Sequence, residues 1–396
     1  MATRATIEAV DSRTRGLRPR RETESVGIVG FLRRVDWLLL GAVVAIVAYG
    51  LRAIDGITKH DPGGSVAGRQ ALYALVGGAL LVVATLIDPA VYRRYKSVIY
   101  GGTLALMALV LVAGAATRGS HRWIDVGFFQ FQPSEFGKVF FTLFVAGFLA
   151  DRAKRLHEFS VPLAAVALAA GPIALVFVQP DVGTALVYTA ALGAVLFTVG
   201  VRWLHLAVMG VAGLLGVLAV LWWLPAAGVN VLKPYQAHRL TGFTHPGTDP
   251  RGANYNIEQS IIAVGAGGLR GRGVAGATQT RLDYTPAHAT DFAFSSLAEQ
   301  RGFLGASFLL LLYLLVVWRG LKIVTASRDL FGAAVAGGIV FAFMFQVYVN
   351  VGMAIGIAPI TGIPLPFVSV GGSSMITNLL AVGILQSIHV RGRRRH

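Results

Sequence analysis

Long apolar stretches recur along the whole chain and limit the folds open to it. A helix needs about 20 mainly apolar residues to cross the hydrocarbon core of a bilayer, and about ten stretches approach that length. They lie near residues 35–54, 70–88, 97–116, 133–150, 160–179, 182–200, 202–225, 292–318, 331–356 and 372–390. Only 14% of the residues are charged, compared with about 25% in soluble domains. The sequence therefore predicts an all-α polytopic membrane protein with about ten transmembrane helices.

Basic residues are concentrated in the connections on one side of these predicted helices. They are Arg33, Arg34, Arg93, Arg94, Lys96, Arg152, Lys154, Arg155, Arg202, Arg319, Lys322, Arg328 and the run from Arg391 to Arg395. Because cytoplasmic connections carry an excess of Lys and Arg, this side is predicted to be cytoplasmic, and an even number of helices places both termini there. The net charge of +16 follows this pattern, so we expect no nucleic-acid partner.

The remaining segments complete the predicted domain organisation. Residues 1–34 are polar and Arg-rich, lack a small-residue cleavage site, and are expected to form a disordered cytoplasmic tail. Residues 35–390 form the transmembrane domain, and residues 391–396 form a basic cytoplasmic C-terminus. Within the domain, residues 226–290 form a large extracytoplasmic loop between helices 7 and 8, longer than most loops without a function. The chain has no cysteine, which excludes disulfides and thiolate metal sites.

Two ionisable residues, Glu135 and Lys138, enter the fourth apolar stretch. Pro133 and an acid in the first turn are typical of a helix start, which explains Glu135 but not Lys138. Their spacing of three places both side chains on one face of the helix. Ionisable groups inside a membrane are costly and are usually paired near a functional cavity. We therefore predict that this pair supports a cavity.

Another acid opens the eighth apolar stretch, at Thr290-Asp291. One interpretation is structural, because Thr is a common N-cap and an acid in the first turn favours the helix dipole. The other is a general base in a basic, partly dry cleft, where a helix N-terminus and nearby arginines would keep the carboxylate ionised. Glu299 lies eight residues later and is predicted to share the same helix face two turns deeper.

The long loop contains a basic, glycine-rich segment. Gly271-Arg272-Gly273-Val274-Ala275-Gly276 matches a dinucleotide-binding fingerprint, but no βαβ unit can surround it in such a loop. We interpret the glycines instead as backbone that can approach a bulky anion closely. The side chains predicted to neutralise that anion are Lys233, Arg239, Arg270 and Arg272.

Three further motifs each allow a structural and a functional interpretation. Arg122, followed by Trp123, is favoured as a membrane-surface anchor, with a phosphate contact as the alternative. Gln179-Pro180-Asp181 is a tight turn in which Asp181 is predicted to cap the next helix, with a role in shaping the mouth of a cavity as the alternative. The segment 363–374 contains Ser369 and Ser373. It is either a simple turn or a phosphate site built from hydroxyls and free N–H groups before a helix N-terminus.

Together these motifs resemble the SEDS family, which comprises the RodA, FtsW and SpoVE proteins of bacterial cell-wall synthesis. The resemblance runs from about Asp36 to His389 in blocks that include Arg122-Trp123-Ile124, Gln132-Pro133-Ser134-Glu135-Phe136, Gln179-Pro180-Asp181, Gln259-Ser260, Gly271-Arg272-Gly273, Thr290-Asp291-Phe292, Asn350-Val351-Gly352-Met353 and Thr361-Gly362-Ile363-Pro364. Gly276-Ala277-Thr278-Gln279 is more similar to the elongation branch, RodA. The chain departs from the family pattern at Ala287 and His288, where the family has a Glu and a differently placed His, and at Gln300, where a second Glu is usual.

The resemblance implies a peptidoglycan glycosyltransferase that polymerises lipid II at the outer face of the bacterial cytoplasmic membrane during elongation and cell-shape maintenance. It also implies that the chain meets the nascent glycan chain, membrane lipids and a class B penicillin-binding transpeptidase. Asp291 matches the family's essential acid, and Glu135 and Lys138 match its charged pair. Gln259, Ser260, Ser369, Ser373, Arg122 and the loop cations are then the expected substrate-binding residues.

In that activity an acceptor sugar hydroxyl attacks the anomeric carbon of a donor linked to undecaprenyl pyrophosphate, with inversion. Glycosidases need a second carboxylic acid because their leaving alcohol is basic. Pyrophosphate leaves as a stable anion, so one base, Asp291, and a cationic clamp suffice. A divalent cation is an alternative source of positive charge, although the sequence shows no cluster of metal ligands.

Two other functions fit the same features. A flippase for lipid II or another polar lipid would also have polytopic architecture, intramembrane charges and a broken outer segment. A non-catalytic scaffold that recruits the transpeptidase would carry the same motifs. Against the flippase, the charged motifs lie on the outer side, and no inverted repeat is visible.

Overall fold

The structure is a computed structural model that describes residues 28–59, 64–113, 115–117, 120–125, 127, 130–229, 253–282, 284 and 287–392. The chain divides into two units, Met1–Val35 and Asp36–His396. The described part of the first unit contains one short helix, α1 (Ile28–Leu32). All other elements belong to the second unit.

The described part of the second unit consists of helices with one small sheet. In chain order its elements are α2 (Trp37–Thr58), α3 (Ala67–Leu86), α4 (Pro89–Arg94), α5 (Lys96–Ala113), β1 (Ala115–Thr117), β2 (Ser120–Asp125), β3 (Gln130–Phe131), α6 (Pro133–Ala150), a 3₁₀ turn (Ala153–Arg155), α7 (Ser160–Val178), α8 (Val182–Thr198) and α9 (Trp203–Leu218). A π-helical turn (Ala219–Trp223) and a last turn (Leu224–Ala226) extend α9. Then follow α10 (Ala253–Ala266), α11 (Gly273–Gly276), α12 (Thr278–Arg281), α13 (Ala293–Ala326), α14 (Leu330–Ala354) and α15 (Gly372–Gly392).

The long helices confirm the prediction of a polytopic all-α membrane protein. Within the described residues, eight helices are long and apolar enough to cross a membrane. Two shorter apolar helices, Lys96–Val112 and Val182–Thr198, occupy the positions of the third and sixth predicted stretches. The bundle has one end where α2 begins and α15 ends, called here the terminal end. The opposite end, where α9 ends and α13 begins, is called the loop end.

Several buried polar residues lie on the more enclosed helices of the bundle. In the most apolar 18-residue stretch of each helix, 89% of the residues of α15 and 78% of those of α6 are buried, whereas none of those of α9 is buried. The side chains of Glu135, Lys138, Gln346 and Asn350, on α6 and α14, are buried among other helices. Polar groups are costly in hydrocarbon, and these side chains avoid that cost because they contact protein rather than lipid.

The first and last membrane helices are joined at the terminal end. The Asp36 carboxylate caps α2 through Leu39 N and pairs with Arg319 on α13, with 2.6 Å between Arg319 Nη2 and Oδ2. The Asp36 backbone exchanges two hydrogen bonds with the Gln386 side chain on α15, at 3.0 and 2.9 Å. The helix α15 also packs along α3. The last helix therefore completes the core against the first two membrane helices.

Two features of the loop end were not predicted from sequence. The connection between α5 and α6 forms a three-stranded antiparallel sheet in the order β1-β2-β3. The described part of the long loop contains three helices, α10 to α12. Apolar periodicity was too weak in these short segments to indicate them.

The helix α13 is kinked at Gly302, whose φ of 67° lies in the left-handed region. The loop docks on this kink. Phe303 N and Leu304 N donate to the carbonyls of Gly268 and Leu269, at 2.8 and 3.1 Å. A Cβ at position 302 would overlap the backbone at Gly271, so only glycine fits this junction.

Candidate functional site

Asp291 lies in a tight turn just before α13 and is half-buried. The Ala287 carbonyl accepts hydrogen bonds from the main-chain amides of Thr290, Asp291 and Phe292, at 3.0 to 3.2 Å. The side-chain amide of Asn350 donates to the Asp291 carbonyl at 2.9 Å. The backbone that carries the Asp291 carboxylate is therefore held from both its local turn and a neighbouring membrane helix.

The broken segment between α14 and α15 forms the wall beside Asp291. Gly362 faces the carboxylate, since a Cβ placed there would be 3.6 Å from Asp291 Oδ2. On the other side, Gly183 at the start of α8 approaches so closely that a Cβ would overlap the Thr361 carbonyl oxygen. Thr361 is buried, and its Oγ1 has no hydrogen-bond partner among the described residues. The site thus places a carboxylate next to a small, close-packed backbone surface.

The same wall is tied to the Asp291 turn by hydrogen bonds. Ser369 Oγ accepts from Leu365 N at 2.8 Å and donates to the Thr290 carbonyl. Val370 N donates to the Ala289 carbonyl at 2.9 Å. The Gln70 side chain on α3 donates to the Ser369 carbonyl at 3.1 Å and accepts from Gly371 N at 3.2 Å. Non-helical backbone at membrane depth is stable when it is satisfied in this way by protein.

Glu135 and Lys138 form the predicted pair, with 2.8 Å between Lys138 Nζ and Glu135 Oε2. Both side chains are almost fully buried, and Lys138 Nζ also donates to Gln346 Oε1 on α14 at 3.0 Å. Lys138, Gln346 and Thr377 line a largely apolar cavity of about 40 Å³ between α6, α13, α14 and α15. The cavity is large enough for a water molecule, which needs about 10–15 Å³. The sequence-based pairing of these two residues is confirmed by this geometry.

The turn between α7 and α8 forms a polar cluster with the sheet. Asp181 caps α8 through Thr184 N at 3.1 Å, as predicted. Arg122 on β2 donates to the carbonyls of Gln179, at 2.7 Å, and Pro180, and its Nη1 lies 3.8 Å from Asp181 Oδ2. Arg122 therefore ties the sheet to this turn. Its predicted contact with a phosphate stays a prediction.

Glu299 is fully buried, and its carboxylate holds the loop. Oε1 accepts from Gln279 N at 2.9 Å, and Oε2 accepts from Thr280 N and Thr280 Oγ1 at 2.9 and 2.7 Å. The Glu299 carbonyl accepts from Arg272 N at 2.9 Å. Because Asp291 precedes the helix, the two acids do not share one helical face. The structure places Glu299 under the docked loop.

The predicted cationic clamp is only partly within the described residues. Lys233 and Arg239 lie outside them. Arg270 and Arg272 are exposed beside the kink of α13, and Arg272 Nε donates to the Ala266 carbonyl at 2.9 Å. A ring of cations around Asp291 therefore stays a prediction.

Two of the remaining predicted substrate-binding residues, Ser260 and Ser373, form hydrogen bonds within the protein. Ser260 on α10 is fully buried and donates to the Ala354 carbonyl at 2.8 Å. Ser373 accepts from Gln132 N at 2.9 Å and donates to the Gln130 carbonyl at 3.0 Å. Gln259 is half-buried on α10. In the part of the chain that is described, no group of three or more His, Asp or Glu residues is placed to hold a metal ion.

Sequence reasoning assigned no site role to three side chains that build the site, Gln70, Gln346 and Asn350, although Asn350 stands in one of the family motifs. Each is a buried amide on a membrane helix that hydrogen-bonds to the site residues or their backbone. An amide in the middle of an apolar stretch was a usable signal, because polar side chains in membranes usually face the interior of the bundle and have a partner.

Comparison with known proteins identifies the family. The family model described as cell cycle protein, built on FtsW, RodA and SpoVE, matches residues 31–394. This chain belongs to that family, the SEDS proteins. Stage V sporulation protein E of Bacillus subtilis is 35% identical over 356 residues, covering 89% of this chain and 94% of the relative. Peptidoglycan glycosyltransferase MrdB of Escherichia coli is 36% identical over 357 residues, covering 90% and 93%.

Solved structures agree with this family assignment. A chain from a structure described as a peptidoglycan synthase complex that coordinates polymerization and crosslinking has a TM-score of 0.77 and 31% identity, covering 91% of this chain and 99% of its own. The crystal structure of the Thermus thermophilus rod shape determining protein RodA has a TM-score of 0.64 and 28% identity, covering 91% and 98%. This SEDS chain is a multi-pass membrane protein of a glycosyltransferase family.

Proposed function

We propose that this SEDS protein polymerises lipid II into glycan strands as a peptidoglycan glycosyltransferase. Several relatives carry that name, among them MrdB of E. coli and RodA of Treponema pallidum. The observation that carries the proposal is the placement of Asp291. Its carboxylate stands beside Gly362 at the loop end, on a backbone held by Asn350 from α14. A reacting group positioned on a rigid support is what efficient catalysis requires.

In this proposal Asp291 is the general base. Its carboxylate accepts the proton of an acceptor sugar hydroxyl as that oxygen bonds to the donor anomeric carbon. The bond from this carbon to the undecaprenyl pyrophosphate breaks, so an α-linked donor gives a β-linked product. The leaving pyrophosphate takes the bonding electron pair, and the loop cations stabilise it through charge-assisted hydrogen bonds.

Glu135 and Lys138 have a supporting role in the proposed mechanism. They are buried in α6, and their pairing with Gln346 supports a polar interior next to an apolar cavity. In this proposal the pair sets the charge of the protein interior beside the substrate site, and the lipid tail lies between helices, open to the bilayer. Glu299 supports the site indirectly, by holding the loop on α13.

The cellular setting is part of the same proposal. We place the loop end outside the bacterial cytoplasmic membrane and both termini in the cytoplasm, because the terminal end carries the basic connections. Residues 1–34 and 391–396 are then cytoplasmic extensions of the transmembrane domain, 35–390. A class B penicillin-binding transpeptidase is the proposed partner, in line with the synthase complex among the similar structures. Cell elongation is the proposed role, because Gly276–Gln279 resembles the RodA branch.

A polymerisation assay with Asp291→Asn tests the catalytic assignment. The full-length protein, with its transpeptidase partner, is incubated with labelled lipid II in detergent. We expect a glycan ladder from the parent and none from Asp291→Asn, since the amide is nearly isosteric but cannot accept the proton. Asp125→Asn, an exposed acid on β2, is the matched control and should retain activity. Normal polymer from well-folded Asp291→Asn protein would contradict the assignment of Asp291 as the general base.

The buried Glu135–Lys138 pair also favours a second candidate, a transporter that moves lipid II across the bilayer. The two functions give opposite results in reconstituted systems. A ladder formed in detergent, where no bilayer exists, supports the enzyme. Movement of labelled lipid II across liposomes without polymer supports the flippase. The absence of both polymerisation and lipid II movement, together with stable binding of the transpeptidase, would support a non-catalytic scaffold.

A further inference from the structure

A second cavity opens at the loop end, away from Asp291. It is a cleft of about 560 Å³ between the end of α2, the start of α3 and the kinked part of α13. This volume is within the range of about 300–1,000 Å³ that is typical of ligand sites. Its charged lining side chains, among the described residues, are Arg52, Asp55, Lys59 and Arg301.

These charges are unbalanced. Asp55 accepts a hydrogen bond from Ser65 Oγ at 2.7 Å. Within the described part of the chain, no hydrogen bond or ion pair uses the side chain of Arg52, Lys59 or Arg301. Three cationic side chains therefore face one carboxylate across a single cleft. Their mutual repulsion raises the free energy of the empty site, and a bound anion would lower it.

The surface that continues from the cleft along α13 is apolar. Leu304 and Phe308 follow Arg301 by one and two helical turns and are 56% and 49% exposed. The Arg301 side-chain stem lies over Gly305, whose carbonyl accepts a hydrogen bond from the Tyr49 hydroxyl at 3.2 Å. Tyr49 in turn packs edge-on against Phe308, with 5.5 Å between ring centroids. A cationic site and a hydrocarbon-facing surface are thus continuous.

We propose that this cleft binds the phosphate headgroup of an anionic membrane lipid, whose acyl chain lies along Leu304 and Phe308. Arginine suits this ligand because its guanidinium donates two parallel hydrogen bonds to phosphate oxygens. Basic pockets between membrane helices bind lipid phosphates by the same means. Isolated cations at helix ends usually extend singly toward water, whereas here cations of two helices converge on one concavity. The inference depends on membrane insertion and not on the proposed polymerase activity.

Lipid binding to the full-length protein in neutral detergent tests this site. Native mass spectrometry during a titration with phosphatidylglycerol gives the affinity of the first bound lipid. The neutral triple variant Arg52→Gln/Lys59→Gln/Arg301→Gln is expected to bind about tenfold more weakly, a loss of about 1.4 kcal/mol. The charge-retaining variant Arg52→Lys/Lys59→Arg/Arg301→Lys should bind more tightly than the neutral variant, because it keeps the three charges, but more weakly than the parent, because the two guanidinium groups are lost. All three positions are exposed, so melting temperatures in neutral detergent should match the parent.

A second triple variant controls for total charge. Lys154→Gln/Arg202→Gln/Arg328→Gln removes three exposed cations from the terminal end and should leave the first lipid bound as in the parent. An equal loss in both neutral triples, or parental affinity in the cleft variant, would overturn the assignment.

Further probes distinguish the source of the phosphate. Phosphatidylcholine, whose headgroup is neutral overall, should bind more weakly than phosphatidylglycerol. Undecaprenyl diphosphate that outcompetes phosphatidylglycerol through the same three residues would support the site and identify its ligand as a diphosphate lipid. Inorganic phosphate that competes as well as either lipid would show a site for free anions and contradict the lipid assignment.

Discussion

The side-chain amide of Asn350 joins two parts of the site, since Nδ2 donates to the Asp291 carbonyl at 2.9 Å and to the Ile363 carbonyl at 2.8 Å. Asn350 is fully buried on α14. One side chain of a membrane helix therefore sets the distance between the acid's backbone and the wall that faces its carboxylate.

Replacing Asn350 with alanine should loosen this arrangement. The buried Ile363 carbonyl and the part-buried Asp291 carbonyl lose their donor, and a buried unsatisfied group costs about 1–3 kcal/mol. We expect a lower melting temperature and a polymerisation rate reduced more than stability alone explains. Asn378→Ala is the matched control, because Asn378 is a buried amide that donates to Ser374 Oγ on its own helix. If both variants retain equal activity, Asn350 does not position Asp291.

The buried pair of Glu135 and Lys138 predicts a non-additive response to mutation. Lys138→Ala leaves a buried carboxylate uncompensated, which should cost about 3–5 kcal/mol. Adding Glu135→Gln removes the uncompensated charge, so the double variant should melt above Lys138→Ala. Thermal unfolding in detergent measures both. A double variant less stable than Lys138→Ala would contradict the pairing, and polymerisation should stay low in both variants if the charged interior is needed.

Gly302→Ala should undock the loop from α13. The left-handed φ and the overlap with the backbone at Gly271 leave no room for a methyl group. We expect a lower melting temperature and faster proteolytic cleavage of the loop near Gly268. Gly265→Ala is the control, because nothing lies within 4 Å of a Cβ there and alanine favours a helix. Equal cleavage rates in the two variants would argue against the docked junction.

Asp151 predicts a pH-dependent contribution to stability outside the membrane spans. Partial burial alone would raise the pKa of Asp151, but hydrogen bonds and charges from Lys96 and Arg93 outweigh it and lower the pKa. A lowered folded-state pKa means that the stabilisation is present above the unfolded value of about 3.9. It is lost as the pH falls through the folded pKa.

Asp151→Asn should therefore lower the melting temperature at neutral pH. The difference from the parent should shrink below about pH 4, as the carboxylate becomes protonated in both states. Glu158→Gln is the control, because Glu158 pairs with Arg155 on the exposed surface, where ion pairs contribute little. A difference between Asp151→Asn and the parent that is constant with pH would indicate a role other than the ion pairs.

Much of the fold was predictable because membrane helices are indicated by length and hydropathy alone. All ten predicted stretches coincide with helices, and α13 extends beyond its prediction, to Ala326. The added turns are amphipathic and include Arg319, which is half-buried and pairs with Asp36. Hydropathy cannot indicate such a residue, because its partner is distant in the chain.

The site was predictable where it depends on local spacing. Glu135 and Lys138 pair at i and i+3, and Asp181 caps its own helix. The roles of Glu299 and Ser369 were not predictable in this way. Their partners, in the loop and in the Asp291 turn, are brought close only by tertiary packing. A motif shows that a side chain is polar, but its hydrogen-bond partners depend on the tertiary structure.

The junction of Asp36 with Gln386 bears on how the protein is made. Ribosomes deliver α2 and α3 to the membrane long before α15, yet α15 supplies the surface along which α3 packs and the amide that satisfies the Asp36 backbone. During synthesis the early helices therefore remain in contact with lipids or insertion factors, and some of their polar groups lack hydrogen-bond partners until α15 is inserted. Chains that stop before α15 should be recognised as incomplete and degraded, whatever the quality of their earlier segments.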